Sequence, residues 1–326
     1  MEGNPMAERA SRWGLLLAVA MVAQLGSHAA RAAQFYTLTD PNDAGGGTVA
    51  YGINDAGQIV GTYVDSTNAT RGFNYSRSSN TFSPVNVPTS SATMPGGINN
   101  NGEVSGTWED SSGGLHGFTV LSGSFTTDVD YPGAAGNTHA TGINNPGVVV
   151  GYYFNGGTHG FTLSGGTYQN VDDPSAVNVT EVLGVNTFGT IVGWYRDASG
   201  RQNAFYRTAT GNFVTANDPL AACSICGTVM TSINSAGDIA GYYTDSLNAT
   251  HGFIDAGGTF LTLDDPNGDG FTQILGINNL DQIAGTYIGS NGIVHGFYAD
   301  VPEPATVALL ATALVGVPLI RRRRSH

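Results

Sequence analysis

The chain contains no lysine, only two cysteines among its 326 residues, and charged residues at just 11% of its length. Every basic residue that fully ionises is therefore an arginine, and seven of the twelve lie in the terminal segments, as Arg9, Arg12, Arg31 and Arg321 to Arg324. Arg71, Arg77, Arg196, Arg201 and Arg207 remain for the body, where residues 33–320 carry 23 acids and a net charge of −18. Such a body repels phosphate backbones and anionic headgroups, so nucleic acid is not an expected partner. Cations and neutral glycans suit it better. Two cysteines exclude a disulfide-rich scaffold; Cys223 and Cys226, close together in the longest insertion, suit one loop disulfide in an oxidising compartment. A redox C-x-x-C needs a helix N-terminus in a βαβ frame, and the surrounding sequence offers neither. What abounds is glycine (47), with Tyr and Phe at 14 each, the composition of an exported β-rich protein.

Long hydrophobic runs occur only at the two ends. Arg9 and Arg12 precede an apolar run from Trp13 to Leu25 and small residues around Ala30, Arg31 and Ala32. This order predicts a secretory signal peptide over residues 1–32, cleaved after Ala32. At the other end stand Val301, Pro302, Glu303 and Pro304, an apolar segment over 305–320, and four arginines. Sixteen helical residues reach about 24 Å, enough for a single transmembrane helix whose arginines snorkel to the headgroups. A basic tail on the cytoplasmic side leaves the body outside the inner membrane. The tail over 303–326 resembles the PEP-CTERM family of bacterial sorting signals, through its Pro302-Glu303-Pro304 motif, apolar segment and basic end in that order. The resemblance implies processing by an exosortase-type protease near that motif, with transient residence of 305–320 in the inner membrane. It also implies a Gram-negative bacterium that makes extracellular polysaccharide.

Between the ends, one unit recurs six times. Its Ile-Asn or Val-Asn step falls at Asn54, Asn99, Asn144, Asn186, Asn234 and Asn278, about 45 residues apart. Periods of 40 to 50 residues built from short strands mark propeller blades. Each copy has four pieces. A short segment ends in Asn and a turn such as Asn54 to Gly57, where Asn tolerates left-handed backbone and Gly supplies a positive φ. A β-branched run then closes on Gly and an aromatic, as in Ile59 to Tyr63 or Ile191 to Tyr195. Gly inside such a strand marks a bulge or a close approach of backbone. Next comes His-Gly-Phe, at His116, His159, His251 and His295, with Arg71-Gly72-Phe73 and Asn203-Ala204-Phe205 as variants. A Thr/Tyr/Phe strand running into a Pro turn completes the copy, as at Asp130 to Pro132, Pro174, Pro219 and Pro266. The pattern resembles the extracellular HAF-repeat family, which implies a repeat protein of the cell exterior and transfers no catalytic residues.

The last copy has no fourth piece, whereas the body begins with an isolated one, Gln34 to Pro41. Together they make one blade, so the first strand is expected to pair with the last three and close the ring. The expectation is an all-β, six-bladed β-propeller over residues 33–302.

Candidate sites are sparse. The four histidines belong to four different blades and lack the spacing of metal-ligand pairs, so a structural role is expected. Asp65, Asp110, Asn155, Asp197, Asp245 and Gly289 share one loop layer, where the plain reading is an Asx turn and the alternative a ring of cation ligands. Asp265, Asn267 and Asp269 match the first half of a calcium loop that lacks its twelfth-position acid, Gly276 standing there. No cofactor is expected beyond Ca²⁺ at this one loop. The fourth copy departs most from the repeat and gathers Trp194, Arg196 and Arg201, a candidate ligand site for an acidic sugar or simply charge balance on an acidic surface. No Ser-His-Asp arrangement, paired-carboxylate motif or phosphate loop is present. The leading expectation is an exported, surface-associated, non-enzymatic protein that binds or scaffolds polysaccharide or other surface proteins in a matrix or biofilm. The alternative is a polysaccharide lyase or hydrolase working in the channel, which converging acids or histidines there would favour.

Overall fold

A computed structural model describes residues 33–126, 129–134, 136–222 and 225–302. The expected signal peptide, Glu303, Pro304 and the 305–320 segment lie outside the described residues. Residues 35–300 form one compact unit, the repeat body.

That body is six four-stranded antiparallel sheets arranged as blades. Blade 1 is built from Thr48–Ile53, Gln58–Val64, Thr70–Ser76 and Thr81–Pro84, in order from the inner strand outward. Blades 2, 3 and 5 repeat this over 92–126, 138–171 and 228–262, and blade 4 uses Thr180–Val185, Ile191–Arg196, Gln202–Arg207 and Phe213–Thr215. Blade 6 has three late strands, Thr272–Ile277, Gln282–Ile288 and Val294–Asp300, and takes its outer strand from Gln34–Leu38 at the start of the body. The expected closure is therefore present, and Phe35 on Phe297, Tyr36 stacked on Tyr298 and Thr37 hydrogen-bonded to the Tyr287 hydroxyl hold it.

The sequence pattern explains the packing. The Phe of each His-Gly-Phe or its variant (Phe73, Phe118, Phe161, Phe205, Phe253, Phe297) is almost wholly buried. Branched residues of one blade face the next: Val60, Val85 and Val87 meet Ile98, Val104 and Phe118, while Leu38 and Ala284 of blade 6 meet Ala50, Ile53 and Phe73 of blade 1. At about 25 cal/mol per Å² of apolar area, these inter-blade seams, rather than any single blade, hold the ring together. A second link repeats around it. The backbone N–H that opens each Pro turn donates to the first Thr of the following inner strand, as Asp173 does to Thr180 and Asp265 to Thr272.

The asparagine turn is more than hairpin chemistry. Its left-handed residue is the glycine in five copies, such as Gly57 at φ +72°, and Asp281 at φ +54° in the sixth, and none of the six repeated asparagines has a positive φ. Each asparagine instead folds its Oδ1 over the turn, accepting backbone N–H groups two to four residues on, as Asn54 does from Ala56 and Gln58. Its Nδ2 donates to the backbone carbonyl of the corresponding asparagine in the next blade. The relay runs Asn54 to Asn99, Asn144, Asn186, Asn234, Asn278 and back to Asn54. A cyclic relay of this kind exists only if the ring is closed.

Candidate functional site

Inner strands place the side chains of the channel. In all six, the register slips by one residue, for example between Ala50 and Gly52 and between Val182 and Gly184. The extra residue of this bulge, namely Tyr51, Gly96, Thr141, Leu183, Thr231 or Leu275, lines the channel. In every blade but the fifth, where Ser232 stands, the glycine after it lets neighbouring blades close up: a Cβ on Gly97 would lie 2.9 Å from Gly142 Cα. The channel mouth is at the asparagine-turn face. There Asp55, Asn100, Asn145, Thr187, Ser235 and Asn279 form a polar rim, in which Asp55 accepts from the side-chain amides of Asn100 and Asn279.

Below the mouth lies a cavity of about 480 Å³, within the usual size range of small-molecule sites. Here the symmetry fails. The residue after the first Thr of each inner strand is Val49, Met94, His139, Glu181, Val229 or Gln273, and Met94, His139 and Glu181 line the cavity. Their cross-strand neighbours on the second strands are Thr62, Thr107, Tyr152, Trp194, Tyr242 and Thr286. Blades 3, 4 and 5 thus present three consecutive aromatics, with a histidine and a carboxyl among them, where blades 6, 1 and 2 present threonine.

Electrostatics follow from burial. The Glu181 carboxyl is pushed up to about 7, chiefly by desolvation, against the opposing pull of the Trp194 hydrogen bond and the Arg196 charge. Trp194 Nε1 donates to Glu181 Oε2 at 3.0 Å. Burial pulls His139 down to about 4, so it is neutral at pH 7, and its ring stacks on Tyr152 at 4.5 Å. Tyr242 rises to about 12 and Tyr152 rises as well, from burial first and then from the negative charge of Glu181. Glu181 is therefore within electrostatic reach of the aromatic residues in both flanking blades.

The sequence candidates fall apart in space. Trp194 lines this cavity, and the Arg196 guanidinium lies 6.0 Å from its ring centroid. Arg201 turns elsewhere and donates to the Ala221 carbonyl at 3.3 Å. Asp265 uses Oδ1 to accept from the backbone and side-chain nitrogens of Asn267, whereas the Asp269 N–H donates to the Ile288 carbonyl. Asp40 with Asn42 repeats that turn, so it belongs to the blade frame. Among the described residues no group of three or more His, Cys, Asp or Glu is placed to share a metal ion. Cys226 is disulfide-bonded, and Cys223 lies outside the described residues.

The histidines and the loop acids prove to be one motif on the face opposite the asparagine turns. Asp110 caps its turn through Oδ1, accepting from Ser112 and Gly114, and turns Oδ2 to His116, whose other nitrogen meets Asp130 at 2.7 Å. His251 is held likewise by Asp245 and Asp264. Where the histidine is replaced, the loop acid stays: Arg71 pairs with Asp65, and Asn203 with Asp197 as well as with Asn217. Burial alone would lower His116 and His251, but their carboxylate partners outweigh it and raise both.

Sequence reasoning missed Glu181, His139, Tyr152 and Tyr242. Superposing the six copies on the first Thr of each inner strand exposes them: His139 and Glu181 are the titratable members of a column that otherwise holds Val49, Met94, Val229 and Gln273, and Tyr152 and Tyr242 stand with Trp194 where the other three blades have threonine.

Comparisons with known proteins bear on the fold and on the tail. Residues 300–324 match the PEP-CTERM protein-sorting motif, which marks an exported protein and implies processing by an exosortase. The match ends at the tail and takes in none of the repeats before Asp300. No curated protein matches the chain. A mutant of the lectin from Aleuria aurantia, in complex with Fucalpha1-6GlcNAc, aligns with a TM-score of 0.50 at 11% identity, over 82% of this chain and 91% of that one. A gluconolactonase from Xanthomonas campestris aligns with a TM-score of 0.50 at 12% identity, over 83% of this chain and 90% of that one. At such identities the likeness is one of fold.

Proposed function

We propose that this exported propeller is a carbohydrate-binding protein of the cell exterior, non-enzymatic, whose channel takes a sugar unit of extracellular polysaccharide. The observation that carries the reading is the run of Tyr152, Trp194 and Tyr242 on three consecutive blades, around a cavity with a polar rim. Aromatic faces pack against the C–H face of a sugar ring, while carboxyl, imidazole and amide groups take its hydroxyls. An acidic body without lysine fits a neutral or cationic glycan better than an anionic one. A sorting tail processed by exosortase would deliver the body to a surface or biofilm matrix in a Gram-negative host, and the HAF-like repeats agree with that address. The lectin among the similar folds is in complex with a fucosylated sugar, and the proposal extends sugar binding to this chain on the strength of the cavity.

Glu181, with its carboxyl near 7, and the neutral His139 that lines the same cavity are the observations in favour of a hydrolase or lyase. Hydrolysis by paired carboxylates needs a second acid within about 10 Å. The other carboxylate lining the channel, Asp55, is at the rim, roughly 15 Å further along the strand direction. The binding reading therefore stands first. Glycan-array screening of the exported protein tests it. Binding that falls about tenfold or more in Trp194→Ala and Tyr152→Ala supports it; an array without hits, or hits indifferent to both substitutions, overturns it.

A further inference from the structure

The carboxyl at the heart of the channel has no counter-ion. Among the described residues its one hydrogen bond comes from Trp194 Nε1, and no arginine forms an ion pair with it. Arg71 and Arg77 pair with Asp65 and Asp300, Arg201 reaches the Ala221 carbonyl, Arg207 lies over Phe213, and Arg196, 6.0 Å from the Trp194 ring centroid, acts on Glu181 through its charge without an ion pair. His139 is kept neutral by its burial against Tyr152. A buried carboxylate without a cationic partner is costly, and the described residues offer none in contact with it. The groups beside it are aromatic: Trp194, which points its indole N–H at the carboxyl, and Tyr152 and Tyr242, which both feel its charge, and an open ring face among them attracts a cation.

We infer that the channel recognises a cationic amino sugar, whose ammonium group sits between the Glu181 carboxylate and the aromatic faces of blades 3 to 5. The inference rests on the glycan reading above and narrows it to one chemical class. An ammonium completes the ion pair missing among the described residues, gains cation–π attraction from the flanking rings, and leaves the rest of the oligomer to run toward the polar rim. An N-acetylated sugar of the same shape leaves Glu181 unpaired. Binding a cation also favours the ionised carboxyl, so a permanently charged ligand should bind more tightly as pH rises through the Glu181 midpoint of about 7. Of the other groups facing this carboxyl, Tyr152 and Tyr242 titrate well above that range and His139 below it, while Trp194 does not titrate and Arg196 stays charged.

The test uses three probes on the exported protein, read by calorimetry: a glucosamine oligomer, its N-acetylated counterpart, and tetramethylammonium, which carries a charge that cannot titrate. The glucosamine oligomer should bind about tenfold or more tightly than its acetylated counterpart, and Glu181→Gln should abolish that preference, weakening the glucosamine oligomer far more than the acetylated one. Tetramethylammonium should bind weakly, tighten between about pH 6 and 8, and lose that dependence in the same variant. Equal affinity for the two oligomers, or a preference that survives Glu181→Gln, overturns the ammonium inference and leaves the glycan reading standing. Failure of both oligomers overturns the ammonium inference, even if tetramethylammonium binds, since the site would then serve an ammonium from another source; the glycan reading falls with it only if the array also has no hits. Cleavage of the glucosamine oligomer that disappears in Glu181→Gln also overturns the inference, assigning the carboxyl to acid catalysis.

Discussion

Two layers of the same channel, five residues apart on each inner strand, follow opposite rules. At the mouth, six asparagines are identical in kind, at most 6% exposed, and joined in one cyclic relay. At the cavity, the six corresponding positions carry valine twice and otherwise methionine, histidine, glutamate and glutamine. A group that stitches each blade to the next must be present in every blade, because one omission breaks the circuit. A ligand gains nothing from sixfold repetition in a single central cavity, so the positions that meet it are free to differ. Uniform columns therefore mark the frame and the varied column marks the site.

The largest effect expected on the frame comes from opening it. A chain beginning at Ala44 lacks the outer strand of blade 6 and exposes the edge of Val294–Asp300. It should lose its cooperative thermal transition; a melt like that of the intact body would contradict closure. Next in size is the relay. Asn278→Ala removes a donor to the Asn54 carbonyl and an acceptor for the Leu280 and Gln282 N–H groups, all in a buried setting, and should cost about 2–4 kcal/mol in denaturant unfolding. Its exposed neighbour Asn279 also bonds across blades, to Asp55, yet Asn279→Ala should cost under about 1 kcal/mol. Equal costs at the two positions would erase the distinction between relay and rim.

Changes at the site should act in the opposite sense. Glu181 has its folded-state value raised from 4.5 to about 7, so the folded protein holds this proton more tightly than the unfolded chain. Its contribution is present at pH below about 4.5 and is lost as pH rises through about 7. Glu181→Gln should therefore gain stability relative to the parent between those values, by up to about 2–3 kcal/mol, discounted by water in the channel. A variant that is less stable at pH 8 would show Glu181 to be part of the frame. The smallest effect concerns the opposite face: His116 and His251 should titrate above 6.5 by NMR, and their stabilisation is present below the unfolded value and fades as pH rises through the folded one.

Much of the frame was legible because repetition averages out local ambiguity. The 45-residue period, the buried Phe of His-Gly-Phe and the displaced fourth strand at Gln34 together gave blade number and closure. The role of the asparagines was not legible, since a turn-forming Asn and an Asn bonded across blades look alike in one copy, and only the folded ring brings Asn278 to Asn54. Trp194 was visible as a departure within the fourth copy. Arg196 and Arg201 shared that departure in sequence, but only Arg196 stays beside the Trp194 ring. Glu181 and His139 were hidden for another reason: each is an unremarkable single residue in its own strand, and they acquire meaning only when a bulged inner strand aims them at a common axis.

The most direct measurement is the pair of indole N–H signals from Trp108 and Trp194 in a ¹H–¹⁵N spectrum, followed during titration with the glucosamine oligomer. Trp194 donates to Glu181 in the cavity, whereas Trp108 stacks on His116. The account predicts that the Trp194 signal shifts and the Trp108 signal stays in place. A shift confined to Trp108, or no shift in either while the oligomer binds, would contradict it.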